Sequence, residues 1–98
     1  MKHYAGLSNA GISNTVRKGI YRRDGYMCVV CGDPRSLQIH HFLPRGRGGS
    51  DDPSNLVTLC GVCHGVVHKK ISPPCGMNVA DYTDAMKNYL EGFYGDGA

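Results

Sequence analysis

The chain has 98 residues, 41% of them hydrophobic, with fourteen glycines, five cysteines and no tryptophan, so its own core is thin and a covalent or metal staple is expected. No apolar run reaches the roughly 18 residues of a membrane span, and the opening MKHYAGLSNAG lacks the apolar stretch of a secretion signal, which excludes a membrane protein and points to the cytoplasm. Net charge is +3, held as eight Lys and Arg against two Asp in residues 1–50 and three against six acids in residues 51–98, a basic half that suits nucleic acid unless it is only a solvated face.

Ser13 or Asn14 caps a helix running to Arg23, with Val16 and Ile20 on one face and Gly25 as its stop. "YMCVVCGDP" predicts a short strand entering a tight cysteine turn, and "LQIHHF" predicts a second strand. "LPRGRGGSDDPSN" carries prolines, glycines and paired aspartates without any period, so it is a loop. The β-branched "LVTLC" then pairs antiparallel across that long connection. A short helix follows from Val62 to about Lys70, ended by "SPPCG". A last helix spans Val79 to Tyr94, because Val79, Tyr82, Met86, Tyr89, Leu90 and Phe93 recur at helical spacing and Asn78 stands at capping-box distance from Asp81. One domain over 1–98 is expected, without repeats.

Cys28-x-x-Cys31 and Cys60-x-x-Cys63 are two knuckles, and four thiolates at such spacing suit one tetrahedral structural zinc. In a reducing compartment this outweighs disulfides. A redox pair has no need of a second pair and would sit in a βαβ pattern that is absent. A rival local zinc would use Cys60, Cys63, His64 and His68. Cys75 has no partner and is expected as a free thiol in a proline turn.

His64 and His68 are four apart and share a helix face, where they hold a metal or fall together by chance. His40 and His41 follow one another on a strand, so one imidazole can face a metal while the other faces a substrate. Arg45 and Arg47 alternate with glycine, which lets a phosphate approach their guanidinium forks. Arg17, Lys18, Arg22 and Arg23 on the first helix, with Lys69 and Lys70, are candidates for sequence-neutral phosphate contacts. Asn55 after Pro-Ser reads as turn chemistry that braces the loop.

"IHHFLPRGRGGSDDPSNLVTLCGVCHGVVH", with the upstream "CVVCG", resembles the motif of the HNH endonucleases across residues 28–68. The resemblance implies an α+β chain with a small ββα-metal (His-Me finger) core, flanking helices and a structural zinc. It implies His40 as first ligand of a catalytic divalent metal (Mg, Mn, Ni, Co or Zn), His41 as the general base on water, Asn55 as the motif asparagine and His64 as second ligand. His68 is similar to the additional ligand histidine of the colicin DNase branch. The chain departs from the family where aspartate often precedes the base and His40 stands instead. DNA is the implied partner, cut to 3′-hydroxyl and 5′-phosphate ends by nicking or double-strand cleavage of weak specificity, as in small stand-alone phage and prophage proteins of this type. An imidazole of unperturbed pKa about 6.5 supplies enough neutral base at pH 7 for this role. A non-catalytic zinc module that binds nucleic acid and a zinc domain that docks a protein stay open, and so does the choice between monomer and weak dimer.

Overall fold

The computed structural model describes residues 12–95; MKHYAGLSNAG lies outside them. Helix α1 (Asn14–Arg23) begins where the Ser13 side chain accepts from the Val16 amide at 3.1 Å. It ends at Asp24, after which Gly25 and Tyr26 turn through the left-handed region, φ 72° and 59°.

Strands β1 (Gln38–His41) and β2 (Leu56–Leu59) pair antiparallel, with Ile39 opposite Thr58 and His41 opposite Leu56. Opposed residues share a face of the sheet. Ile39 and Leu56 therefore pack with Ile12 and Ile20 on the α1 side. Val57 and Leu59 face the other way, into a larger core with Cys28, Cys60, Cys63, Val66, Tyr82, Met86 and Leu90. All four residues of β2 are buried, as an almost continuously apolar strand between two cores requires.

Helix α2 (Gly61–Val67) and helix α3 (Val79–Tyr94) cover that second face. The capping box expected at Asn78 and Asp81 is formed in both directions, and Tyr82, Met86 and Leu90 point inward. Phe93 stays 53% exposed, its ring 5.2 Å from that of Tyr89. Among the described residues three α-helices and a two-stranded antiparallel sheet make the expected α+β architecture.

Two expectations are corrected. "YMCVVCGDP" is no strand: the Cys28 amide donates to Asp33 O and the Gly32 amide to Cys28 O, both at 2.9 Å, so the segment closes on itself. Only Val29 reaches β2, donating to Thr58 O at 3.0 Å. The short helix stops at Val67 rather than Lys70 because His68 caps it and Lys69 turns left-handed at φ 62°. Lys69 N then donates to Val66 O and Lys70 N to Gly65 O, a Schellman closure that satisfies the last carbonyls.

Candidate active site

The two cysteine knuckles meet. The first is the closed turn at 28–33, and the second opens α2, where Cys60 Sγ accepts from the Cys63 amide at 3.4 Å. The sulfurs of Cys28, Cys31, Cys60 and Cys63 all lie within 4.8 Å of one another, with Cys31 and Cys60 at 3.6 Å. Tetrahedral Zn–S bonds of about 2.3 Å demand sulfur separations of about 3.8 Å, so four thiolates here fit a structural zinc. Without a cation they cannot all ionise: burial pushes the Cys63 thiol up, and its neighbours Cys28, Cys31 and Cys60 push it further. The rival set of Cys60, Cys63, His64 and His68 is not what the fold assembles, because both histidines turn to another partner. Cys75 is exposed and lies apart.

That partner is His40, which the sheet register turns to the α2 side along with Val57. Nitrogens of His40, His64 and His68 come within 4.8 Å of one another. The Nε2 atoms of His64 and His68 are 3.0 Å apart, a separation that fits ligands at about 2.1 Å from one ion. The rings stand nearly perpendicular, at 75° to 89°, as planes do when they converge edge-first on a point. Burial lowers the His40 pKa to about 3, and the nearby His64, His68 and His41 add to this. Burial likewise lowers His64 to about 4, helped by His68 and Lys70. Both imidazoles therefore keep a free lone pair for a metal at neutral pH.

His41 points to the opposite face of β1. Its Nε2 lies 2.7 Å from Asp51 Oδ1, and its side chain is only 10% exposed. Arg45 grips the same carboxylate with Nε at 3.0 Å and Nη2 at 3.1 Å. Asp51 escaped the sequence reading; the signal open to it was a carboxylate in the loop that follows a base-like histidine. The Asn55 side chain spends its hydrogen bonds elsewhere than on His41. Its Oδ1 accepts from the Leu43 amide at 2.7 Å, and its Nδ2 donates to Leu43 O and Ser50 O at 3.0 and 2.8 Å, so it ties the loop across its neck. Gly49 is required there, since a Cβ would lie 1.6 Å from Leu43 O. His40, His41, His64, His68, Arg45, Ile39 and Pro44 together line one cavity of about 210 Å³.

The remaining cations divide. Lys18, Arg22, Arg47, Lys69 and Lys70 are exposed, and Arg17 is half-buried and donates to Asn14 Oδ1. Arg23 is a correction: its side chain is 11% exposed and spends its donors inside the fold. Nε and Nη2 bind Asp24, Nη2 also reaches Leu56 O at 2.6 Å, and Nη1 reaches Pro53 O at 2.9 Å. The helix turn that carries Arg23 packs it under Tyr89, Phe93 and Tyr94, with its donors already engaged.

A hairpin and a short helix that bring three histidines together, closed by four cysteines, define a small ββα domain with two side-chain clusters that could hold metal. The HNH endonuclease family model matches residues 28–70. The protein named anaredoxin from Nostoc sp. is 39% identical over 54 residues, which cover 54% of this chain and 71% of that protein. The chain belongs to the HNH endonuclease family. Among the described residues no helix is long and apolar enough to cross a membrane.

Proposed function

We propose that the protein is a metal-dependent endonuclease that hydrolyses DNA phosphodiester bonds as one domain, with weak sequence preference. Proteins of the HNH family act on DNA. The observation that carries the reading is the cavity at which three metal-spaced imidazoles meet a fourth that is engaged by a carboxylate. Hydrolysis of an anionic diester needs positive charge beside the phosphate and a base for water.

His40, His64 and His68 would hold the divalent cation, which as Mg, Mn, Ni, Co or Zn offsets charge growing on the phosphate. With Nε2 committed to Asp51, His41 has Nδ1 left to accept a water proton. The resulting hydroxide attacks phosphorus, the bond to the 3′ oxygen breaks, and that oxygen takes a proton from solvent. Arg45, 40% exposed while it holds Asp51, is beside this reaction and offers a fork to a phosphate oxygen. Arg47, Arg17, Lys18, Arg22, Lys69 and Lys70 contribute sequence-neutral contacts, so binding should weaken steeply with salt.

The test is supercoiled plasmid incubated with protein and each divalent metal. Nicking with Mg or Mn, its loss in EDTA, and ligatable 3′-hydroxyl ends are expected. Cleavage by folded protein after exhaustive chelation refutes the metal mechanism. The four-cysteine site favours one second reading, a zinc module that only binds nucleic acid; retardation of DNA with no nicking under any metal selects it.

A further inference from the structure

His41 uses Nε2 on Asp51, and Asp51 is in turn held from two directions. Arg45 approaches both carboxylate oxygens. Asn55 binds the carbonyl of Ser50, immediately before Asp51, and clamps it to Leu43, two residues after His41. The Gly49 amide donates to Pro44 O at 2.9 Å and closes the same neck. An exposed surface ion pair would need none of this bracing, and it would leave the imidazole free to rotate. We propose that Asp51 is the positioning residue for His41: it accepts the proton of Nε2–H, so that the neutral ring is kept in the tautomer whose Nδ1 lone pair is free in the cavity.

A neutral imidazole has one N–H and one lone pair, and the group opposite one nitrogen decides which is which. Asp51 is a carboxylate over the working range, because the hydrogen bond from His41 and then those from Arg45 hold its carboxyl below the usual value. An ionised carboxylate only accepts, so Nε2 must carry the proton. Arg45 and Asn55 act one step further out, by fixing where the carboxylate stands. When Nδ1 takes a proton from water, the cation so formed on His41 lies against the Asp51 charge.

The role in hydrolysis rests on the nuclease reading, and the test separates the two. Nitrogen-15 NMR of the full chain reads the His41 tautomer directly. Wild type is expected to show Nε2–H with a bare Nδ1, and Asp51→Ala to show both tautomers. Plasmid nicking by Asp51→Ala should fall about 10- to 100-fold in kcat, within the range that general-base catalysis supplies, with KM changed by no more than about twofold. Should Asp51→Ala fail to fold, the near-isosteric Asp51→Asn carries the same two readouts, because its amide can present nitrogen as well as oxygen to Nε2. A wild-type His41 protonated at Nδ1, or a tautomer ratio unmoved by either substitution, overturns the proposal, as does a loss confined to KM. Wild type that shows Nε2–H but cuts no DNA leaves Asp51 assigned and removes the nuclease reading instead.

Discussion

Replacing Asp24 with alanine removes the acceptor at the centre of the fold's main polar cluster. Its carboxylate is wholly buried and accepts four hydrogen bonds, from Arg23 Nε at 2.7 Å, Arg23 Nη2 at 3.1 Å, Tyr89 OH at 2.7 Å and the Thr58 amide at 2.9 Å. These join α1 to β2 and α3. Alanine leaves the Arg23 guanidinium, 11% exposed, as a charge without its counter-ion, and breaking one partner of such a pair costs about 3–5 kcal/mol. Tyr89→Phe deletes a single bond to a charged group and should cost about 1.5–3 kcal/mol. A domain of this size holds roughly 5–15 kcal/mol in all. At about 4–8 °C per kcal/mol, Asp24→Ala should therefore melt at least 12 °C or so below wild type, if it folds at all. Urea and thermal denaturation of zinc-loaded protein measure both variants. Asp24→Ala within about 1 kcal/mol of wild type, or costing less than Tyr89→Phe, would refute the idea that this carboxylate locks α1 in place.

Cys28→Ser should abolish zinc retention by the sulfur site and unfold the chain, since metal-binding energy there is folding energy, whereas His68→Ala should leave zinc content and melting nearly intact; metal analysis and circular dichroism check both. On the proposed mechanism His41→Ala keeps DNA binding and metal occupancy but loses about 10²- to 10⁴-fold in nicking, while His64→Ala also weakens the catalytic metal, which calorimetry with Mn or Zn distinguishes. The lowered pKa values of His40 and His64, about 3 and about 4, also set a pH dependence. Between the unfolded value of about 6.5 and these folded values the unfolded chain binds protons that the folded one refuses, so stability falls as pH drops through that window. Urea midpoints of His64→Ala carrying zinc at the sulfur site alone should decline less from pH 7 to pH 5 than those of wild type prepared the same way; an equal decline contradicts the assigned burial effect.

Much of the architecture is legible in the chain because it rests on local chemistry. Helix α3 is written in the spacing of Tyr82, Met86 and Leu90 and in the Asn78–Asp81 box, each an interaction within a few residues. The alternation of β1 already puts His40 and His41 on opposite faces, and the knuckle spacing already groups four cysteines. Where the expected elements differ from the fold, a local backbone turn without any periodic side-chain signal prevails. The Cys28 turn closes on Asp33 instead of extending, and α2 ends early because Lys69 and Lys70 donate back to Val66 and Gly65. The motif resemblance groups His40 with His64 and His68, but the physical meeting is tertiary: His40 is 24 residues from His64 in the chain and reaches it through the hairpin register. Tertiary structure alone turns Arg23 from an apparent phosphate contact into the buried partner of Asp24, because an arginine's spacing on a helix does not say whether tyrosines from a distant helix will cover it. It alone brings Asp51 to His41, since a carboxylate in an aperiodic loop has no period to betray its direction, and only the clamp of Asn55 and the close approach at Gly49 give it one.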